Sequence, residues 1–569
     1  MDIRKILLLC IILLFGGCFL YSATPQKTYV VANLSLKDSV EVAQAYASKR
    51  NIPISNIIAF AMPTSLEISK AEYFSKIENP LVAELVKRRA ITAVKLGSKD
   101  SNGREIYSYV SHDIDFVVFC YGVPYAVRDF PLAKGEKARN GMKTASAALD
   151  SEFSARFIDG NKFFGMLKNP LYKDIGKKKS ASLYGLIPTA RLDGANKTDV
   201  LNIIDSAIEA ERKGVAGRVY LDKSKKYKLG DDWIDLANKI LSSAYFDIDV
   251  SEAPALFGCA DRIDGLAYYF GWYSRRATGY FAENGFRAAR GASALHIYSY
   301  SAREMRNRLF WTPALVSAGA VATFGNIYEP YLVGTHHIPI YVSGLASNLC
   351  AGDAAMVAMP FVSWQAIFVG DPLFMPFKVS LEEQMSRIEK GQIDSFSQYV
   401  VCRMANKIKA KDSTIKAINF AKKYVGKMSD VALCWKIVEL SKEVGDIESA
   451  KKYALMVLDK EEIFSNVSLR GLAFTVVKFL LTKEINEPEI ASQKLEILSG
   501  LSTTEQYKRA VFSVAVKIPK VMRAENTQKV VVEIVELDKK RAEEQERKRK
   551  EAEERKRKEE DMRKNKDKK

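Results

Sequence analysis

The chain has 569 residues, 47% hydrophobic and 10% aromatic, with a formal net charge of +18. That length predicts about three to four structural units, and the apolar content excludes wholesale disorder. Only four histidines occur, at His112, His296, His336 and His337, which nearly excludes a site built on three clustered histidines; the positive charge comes without a basic stripe interleaved with aromatics or a known module, which argues against a nucleic-acid partner.

The first 23 residues read as a secretory signal. Arg4 and Lys5 precede an apolar run from Ile6 to Phe15, and Thr24-Pro25-Gln26 opens the mature chain. The run is too short for a comfortable membrane span. Phe15-Gly16-Gly17-Cys18 resembles a bacterial lipobox, which would leave a lipidated Cys18; cleavage after Ala23 and retention as an anchor are the alternatives. The chain is therefore expected in the periplasm, free or membrane-anchored. Past Cys18 stand Cys120, Cys259, Cys350, Cys402 and Cys434, an odd number without any CxxC pair. Buried free thiols are expected rather than a disulfide framework or a zinc site.

From residue 24 to 378 the pattern is strand, helix, strand. Tyr29 to Asn33 is a buried strand, Ser39 to Arg50 a helix and Ile57 to Phe60 the next strand. Ile114 to Cys120 is a near-continuous apolar run of the kind buried on both faces of a parallel sheet. Ser182 to Ile187 reads as another strand. Val200 to Lys213 is an amphipathic helix, Gly217 to Asp222 a strand, Asp232 to Ser243 a helix and Phe246 to Val250 a strand. Leu266 to Gly271, Ala292 to Ser299, Ala320 to Phe324 and Gln365 to Val369 complete the strands, with Val342 to Met356 helical between the last two. This order predicts an α/β unit: a parallel sheet with helices on both faces, three layers in all.

Composition shifts near residue 378. Residues 379–537 have few Gly and Pro and read as an all-α domain. Trp435 to Leu458 forms a helical hairpin with Gly445-Asp446 at its turn, similar to one tetratricopeptide-like unit; an irregular bundle is the alternative. Residues 538–569 hold 16 Lys and Arg against 11 Asp and Glu. They have no heptad stripe and predict a charged tail, helical or disordered, able to meet an anionic membrane surface.

Ligands of open α/β sheets gather beyond the carboxyl ends of strands. Those positions hold Trp272-Tyr273-Ser274, Tyr298-Ser299-Tyr300-Ser301, Asn326-Ile327-Tyr328-Glu329 and Gly370-Asp371-Pro372, with His336-His337 close behind. Four clusters in consecutive strands predict a cleft. Trp272, Tyr273, Ser274, Ser299, Asn326, Glu329 and His336 are its candidate ligand-binding residues. The catalytic candidates are His296, His336 or His337 as general base, with Asp371 or Glu329 orienting it or binding metal. His296 and Ser299 lie three apart in an extended segment, so their side chains point to opposite faces, which argues against a direct dyad. One of His336 and His337 with Glu329, Asp371, Asp150 or Glu152 would be the donors for a divalent ion, although no cofactor or metal is expected. Asp150, Glu152, Arg191 and Asp193 form two compact charged motifs, either ligand-binding or a salt bridge from Arg191 to Asp150 or Glu152. No Walker, HExxH or GxSxG motif is present.

Several of these motifs occur together in one order: Arg50-Asn51-Ile52-Pro53, Tyr121-Gly122-Val123-Pro124, Ala148-Leu149-Asp150-Ser151-Glu152, Arg191-Leu192-Asp193-Gly194, Phe270-Gly271-Trp272-Tyr273-Ser274, Gly325-Asn326-Ile327-Tyr328-Glu329-Pro330 and Gly370-Asp371-Pro372-Leu373. Over residues 27–378 the set resembles an uncharacterised family of exported bacterial proteins. That family is found in genomes that also encode exosortase, the membrane enzyme proposed to sort proteins to the envelope. Residues 270–377 also resemble the caspase-like fold of gingipain-type cysteine peptidases. There the resemblance implies a His-Gly pair after one strand and a Cys after the next. Trp272-Tyr273 and Ser299-Tyr300 stand at those positions here, so the peptidase pair is substituted. The expectation is an envelope accessory factor that binds a peptide or glycan segment and docks another protein through its helical domain. A hydrolase with relocated residues and a purely structural scaffold are the rivals.

Overall fold

The computed structural model describes residues 23–128, 146–161, 165–175, 181–252, 256–502, 504–518 and 520–566. The expected signal segment and Cys18 lie outside the described residues, Ala23 excepted. The chain packs as two compact units, one of residues 1–257 and 263–445, the other of 258–262 and 446–569.

The first unit is built on one ten-stranded sheet. Its strands in chain order are β1 (Thr28–Asn33), β2 (Ile57–Phe60), β3 (Phe116–Cys120), β4 (Thr189–Leu192), β5 (Arg218–Asp222), β6 (Ile248–Ser251), β7 (Leu266–Trp272), β8 (Ser293–Ile297), β9 (Ala322–Asn326) and β10 (Ala366–Gly370). Their order across the sheet is β6-β5-β7-β8-β9-β10-β4-β3-β1-β2. Every neighbouring pair is parallel except β9 and β10, which run antiparallel with Ala322 opposite Gly370 and Asn326 opposite Ala366. The sheet is thus two five-stranded parallel halves joined at one antiparallel seam.

Alternation along the strands explains the layers. Val30, Ala32, Val118, Ala190, Leu221, Phe270, Leu295 and Phe324 share one core with α1 (Lys37–Arg50), α3 (Lys197–Lys213), α4 (Lys228–Ser243), α6 (Ile338–Ala346) and α7 (Ala351–Ala358). Tyr29, Val31, Val117 and Phe119 face the other way, into a core shared with the helical segment 70–87 and with α2 (Leu149–Ser154). Local signals set the helix ends. The Asn196 side chain accepts the Asp199 N–H at the start of α3, and Gly214 closes it at φ 94°.

The α/β reading with a large, mostly parallel sheet and a helical C-terminal region holds. Some elements differ from expectation. The segment expected as a strand at Ser182 to Ile187 is a 3₁₀ turn (Ala181–Tyr184) and a loop; the strand is Thr189–Leu192, whose Arg191 hides it from a hydrophobicity reading. The single helix expected over 342–356 is two, broken where Asn348 takes φ 62°. An antiparallel ribbon, Ile91–Lys99 with Glu105–His112, has no counterpart in the expected elements. All five described cysteines are buried thiols outside any disulfide.

The helices after the composition shift belong to the first unit as far as residue 445: α8 (Leu381–Glu389), α9 (Ser397–Lys411), α10 (Thr414–Lys422) and α11 (Val431–Glu443). Lys436 on α11 reaches Asp247, just before β6, at 2.6 Å, and the Tyr399 hydroxyl on α9 reaches Asp264 at 2.9 Å. The second unit contains α12 (Ile447–Leu458), α13 (Arg470–Leu480), α14 (Pro488–Gly500), α15 (Glu505–Ala515) and the 42-residue α16 (Glu525–Lys566). The expected turn at Gly445-Asp446 coincides with the division between the units. α16 buries Thr527, Val530 and Ile534 at its start and is exposed from residue 542 to 559.

Candidate functional site

The antiparallel seam decides which strand ends can meet. The carboxyl ends of β7, β8 and β9 open on one edge of the sheet. That of β10 opens on the opposite edge, where the Asp371 N–H reaches the Val321 carbonyl at 3.0 Å. Five residues of strand separate Val321 from Asn326, roughly 17 Å. The expected four-cluster cleft is therefore three clusters, without Asp371.

Asp371 is instead a structural clamp. Its carboxylate accepts from the Tyr46 hydroxyl (2.8 Å), from Arg50 (2.6 Å) and from the Leu373 N–H (3.0 Å), and it is fully buried. The other charged candidates are buried as well. Arg191 donates to Asp150 at 3.0 Å and contacts Asp193 at 3.4 Å, so the expected salt bridge forms with Asp150. Glu152 goes elsewhere, to the Ser363 hydroxyl (2.5 Å) and Arg104 (3.4 Å). Burial raises the Asp150 carboxyl, and the adjacent Arg191 opposes that shift. None of the four presents a free face to a ligand.

The histidines are scattered. His296 lies on the sheet face opposite the Phe324 side. Its ring stacks on Trp311, with centroids 3.7 Å apart, from the short helix α5 (Trp311–Ser317). Its Nε2 accepts the Ser274 N–H at 2.9 Å, which assigns the proton to Nδ1. Nδ1 then donates to the Tyr269 hydroxyl (3.0 Å), which donates to Asp222 (2.8 Å). Burial holds this imidazole well below its ordinary pKa, so it is a neutral core group. His336 packs on Phe324 in the other layer and is pushed down to about 3 by burial and by His337. His337 packs on Trp233, with ring centroids 4.2 Å apart, and is pushed down to about 4, chiefly by burial. Among the described residues no group of three or more His, Cys, Asp or Glu is placed to hold a metal.

What the three strand ends do assemble is a tyrosine-lined edge. Tyr273 is 36% exposed, with its ring 5.0 Å from Tyr298 and 6.3 Å from Tyr227, and the Lys226 ammonium sits 4.1 Å above it. Tyr300 meets Tyr328 edge-on at 5.0 Å. Between the pairs the Ser299 hydroxyl donates to Glu329 at 2.6 Å, and the other Glu329 oxygen accepts the Tyr331 N–H at 3.1 Å. Asn326 anchors the edge from below. Its side-chain amide reaches the Tyr298 carbonyl and Thr335, and its N–H reaches Ser301. Tyr300 and Tyr331 hold left-handed backbone, φ 63° and 57°. Such residues cost on the order of 1–3 kcal/mol each and persist where surrounding contacts impose them.

Of the expected ligand-binding residues, Tyr273, Ser274, Ser299 and Glu329 come to this edge. Trp272 does not: it is buried, its indole N–H donates to Asp231 at 2.8 Å, and its ring lies flush against Gly230. Asn326 supports the edge from a buried position, and His336 is covered. Tyr298, Tyr300 and Tyr328, members of the same strand-end clusters, and Tyr331 just beyond them belong with the site beside the candidate residues. Lys226-Tyr227 had no signal except its place just after β5, the same relation that marked the other clusters.

No family model, curated protein or solved structure matches the chain. Among the described residues no helix is long and apolar enough to cross a membrane.

Proposed function

We propose that the protein is an exported envelope factor that binds a peptide or glycan segment along the tyrosine-lined edge at the ends of β7, β8 and β9, as an accessory to protein sorting or surface-polymer assembly. The observation that carries this is the packing of Tyr273 on Tyr298 and Tyr300 on Tyr328 around the Ser299–Glu329 pair. Tyrosines offer flat apolar area with polar tips, which suits both peptide backbones and sugar rings. We read the first unit as caspase-like, with Trp272-Tyr273 and Ser299-Tyr300 at and beyond the carboxyl ends of adjacent strands, where a peptidase of that fold carries His and Cys. The helices after residue 378, tetratricopeptide-like in this reading, dock a protein partner. A membrane contact comes from a lipidated Cys18 or from the charged tail.

A hydrolase reading retains one observation, the short Ser299–Glu329 contact. It lacks a neighbouring imidazole, since His296, His336 and His337 are engaged or covered elsewhere. The test incubates the protein with a diverse peptide library and an oligosaccharide panel. Binding is read by co-elution and cleavage by mass spectrometry, with Tyr273→Ala and Ser299→Ala alongside. Binding that weakens at least tenfold in Tyr273→Ala, without cleavage, is the expected outcome. Cleavage lost in Ser299→Ala would establish the hydrolase instead. Binding unaffected by Tyr273→Ala would move the ligand off this edge.

A further inference from the structure

A second concavity lies in the first unit, away from the tyrosine edge. It is a groove of about 650 Å³ between the C-terminal end of α3, the loop before β8 and the α8–α9 connection. Arg212, Lys213, Arg290, Arg387 and Lys390 line it against only Glu383 and Asp394. Both carboxylates are already used. Asp394 is held by Arg290 at 2.8 Å and Lys213 at 3.2 Å, which keeps its carboxyl below the usual range despite its burial, and Glu383 pairs with Arg387. Arg290 stacks on Phe396 at 4.9 Å and has a buried Nε with no partner. Arg212 and Lys390 line the groove with exposed side chains and no carboxylate partner among the described residues.

We propose that this groove binds an acidic oligosaccharide, a short chain of uronate residues. Two features select that class. The two cations left without a carboxylate, Arg212 with its planar fork and Lys390, match carboxylates spaced along a chain. Ile388, Ile393 and Val400 add apolar surface to a lining of charged, amide and hydroxyl side chains, which suits the C–H face of a sugar ring and offers nothing to a bare phosphate chain. The inference does not depend on what the tyrosine edge binds.

The test is calorimetric titration of the full chain with trigalacturonate, and separately with tripolyphosphate, at low and raised salt. Arg212→Gln/Lys390→Gln is the variant, because neither side chain holds a carboxylate in the fold; Lys390→Glu alone is the second. Trigalacturonate is expected to bind, to weaken as salt rises, and to lose at least tenfold affinity in the double variant with the unfolding midpoint unchanged. Three results would overturn the proposal. One is no binding of trigalacturonate. The second is equal affinity in both variants, which would assign the anion to another basic surface such as α16. The third is tripolyphosphate binding as tightly, which would make the groove a site for bare charge.

Discussion

Acid should unfold the first unit well above the pH at which carboxylates protonate. His296, His336 and His337 are buried and neutral, with His336 pushed down to about 3, His337 to about 4 and His296 well below its ordinary value. In the unfolded chain each returns to about 6.5 and takes up a proton below that. Between the folded and unfolded values the unfolded state therefore binds more protons, and stability falls as pH falls. At about 1.36 kcal/mol per pH unit for each group, lowering the pH from 7.5 to 5.0 costs about 2 kcal/mol per histidine and about 6 kcal/mol for the three. His112, also lowered by burial, adds to this. The whole stability of a domain is commonly about 5–15 kcal/mol, so the loss is large. The assay is urea unfolding at a series of pH values, followed by tryptophan fluorescence. All five tryptophans, at 233, 272, 311, 364 and 435, lie in the first unit, so the signal reports it alone. His336→Leu, which removes a ring whose Nδ1 has no partner against Phe324, should shrink the pH 7.5-to-5.0 difference by about 2 kcal/mol. An unfolding free energy that changes by less than about 1 kcal/mol over this range would refute the reasoning, because three buried neutral imidazoles cannot be silent there.

Two further substitutions test the packing. A Cβ at Gly230 would stand 2.2 Å from the Trp272 ring, so Gly230→Ala should destabilise the first unit by about 1–3 kcal/mol and lower its thermal midpoint; an unchanged midpoint would mean that the indole moves freely. Lys436→Met removes the 2.6 Å partner of the buried Asp247, and the expected loss is about 3 kcal/mol in urea unfolding. That is the low end for a broken buried pair because Arg218 (3.3 Å) and Asn406 (2.8 Å) still hold the carboxylate.

The sequence displays the strands that alternate or run apolar, and it does so at β1, β3, β5, β7 and β8. Thr189–Leu192 escapes because its central Arg191 is a buried ion-pair partner, which a hydrophobicity pattern counts as surface. The ribbon at Ile91–Lys99 and Glu105–His112 escapes for the converse reason: Val94, Leu96 and Val110 are apolar yet more than half exposed. Strand direction has no signature in composition at all. Gly370-Asp371 looks like one more carboxyl-end cluster, and only the antiparallel pairing of β10 with β9 sends it to the far edge. That His296 and Ser299 form no direct dyad was legible in their spacing, although Ser299 lies beyond the end of β8 rather than within it and pairs with Glu329. The buried relay from Ser274 through His296 and Tyr269 to Asp222 was not, because it depends on neighbouring strands being in register.

The late insertion of β10 has a consequence for how the molecule is made. The chain lays down β1 to β4, then builds the whole other half-sheet, and only then returns at residues 366–370 to slot between β9 and β4. Until those residues emerge, β4 and β9 each present an unpaired edge, the kind of template on which strands of other chains add. Closure is completed when Asp371, one residue beyond β10, meets Arg50 and Tyr46 on α1, more than 320 positions earlier. Any shortened form that stops before Ala366 therefore leaves two sticky borders and an Arg50 held by Glu211 alone, whereas one that continues past Asp371 carries the latch that shuts the sheet.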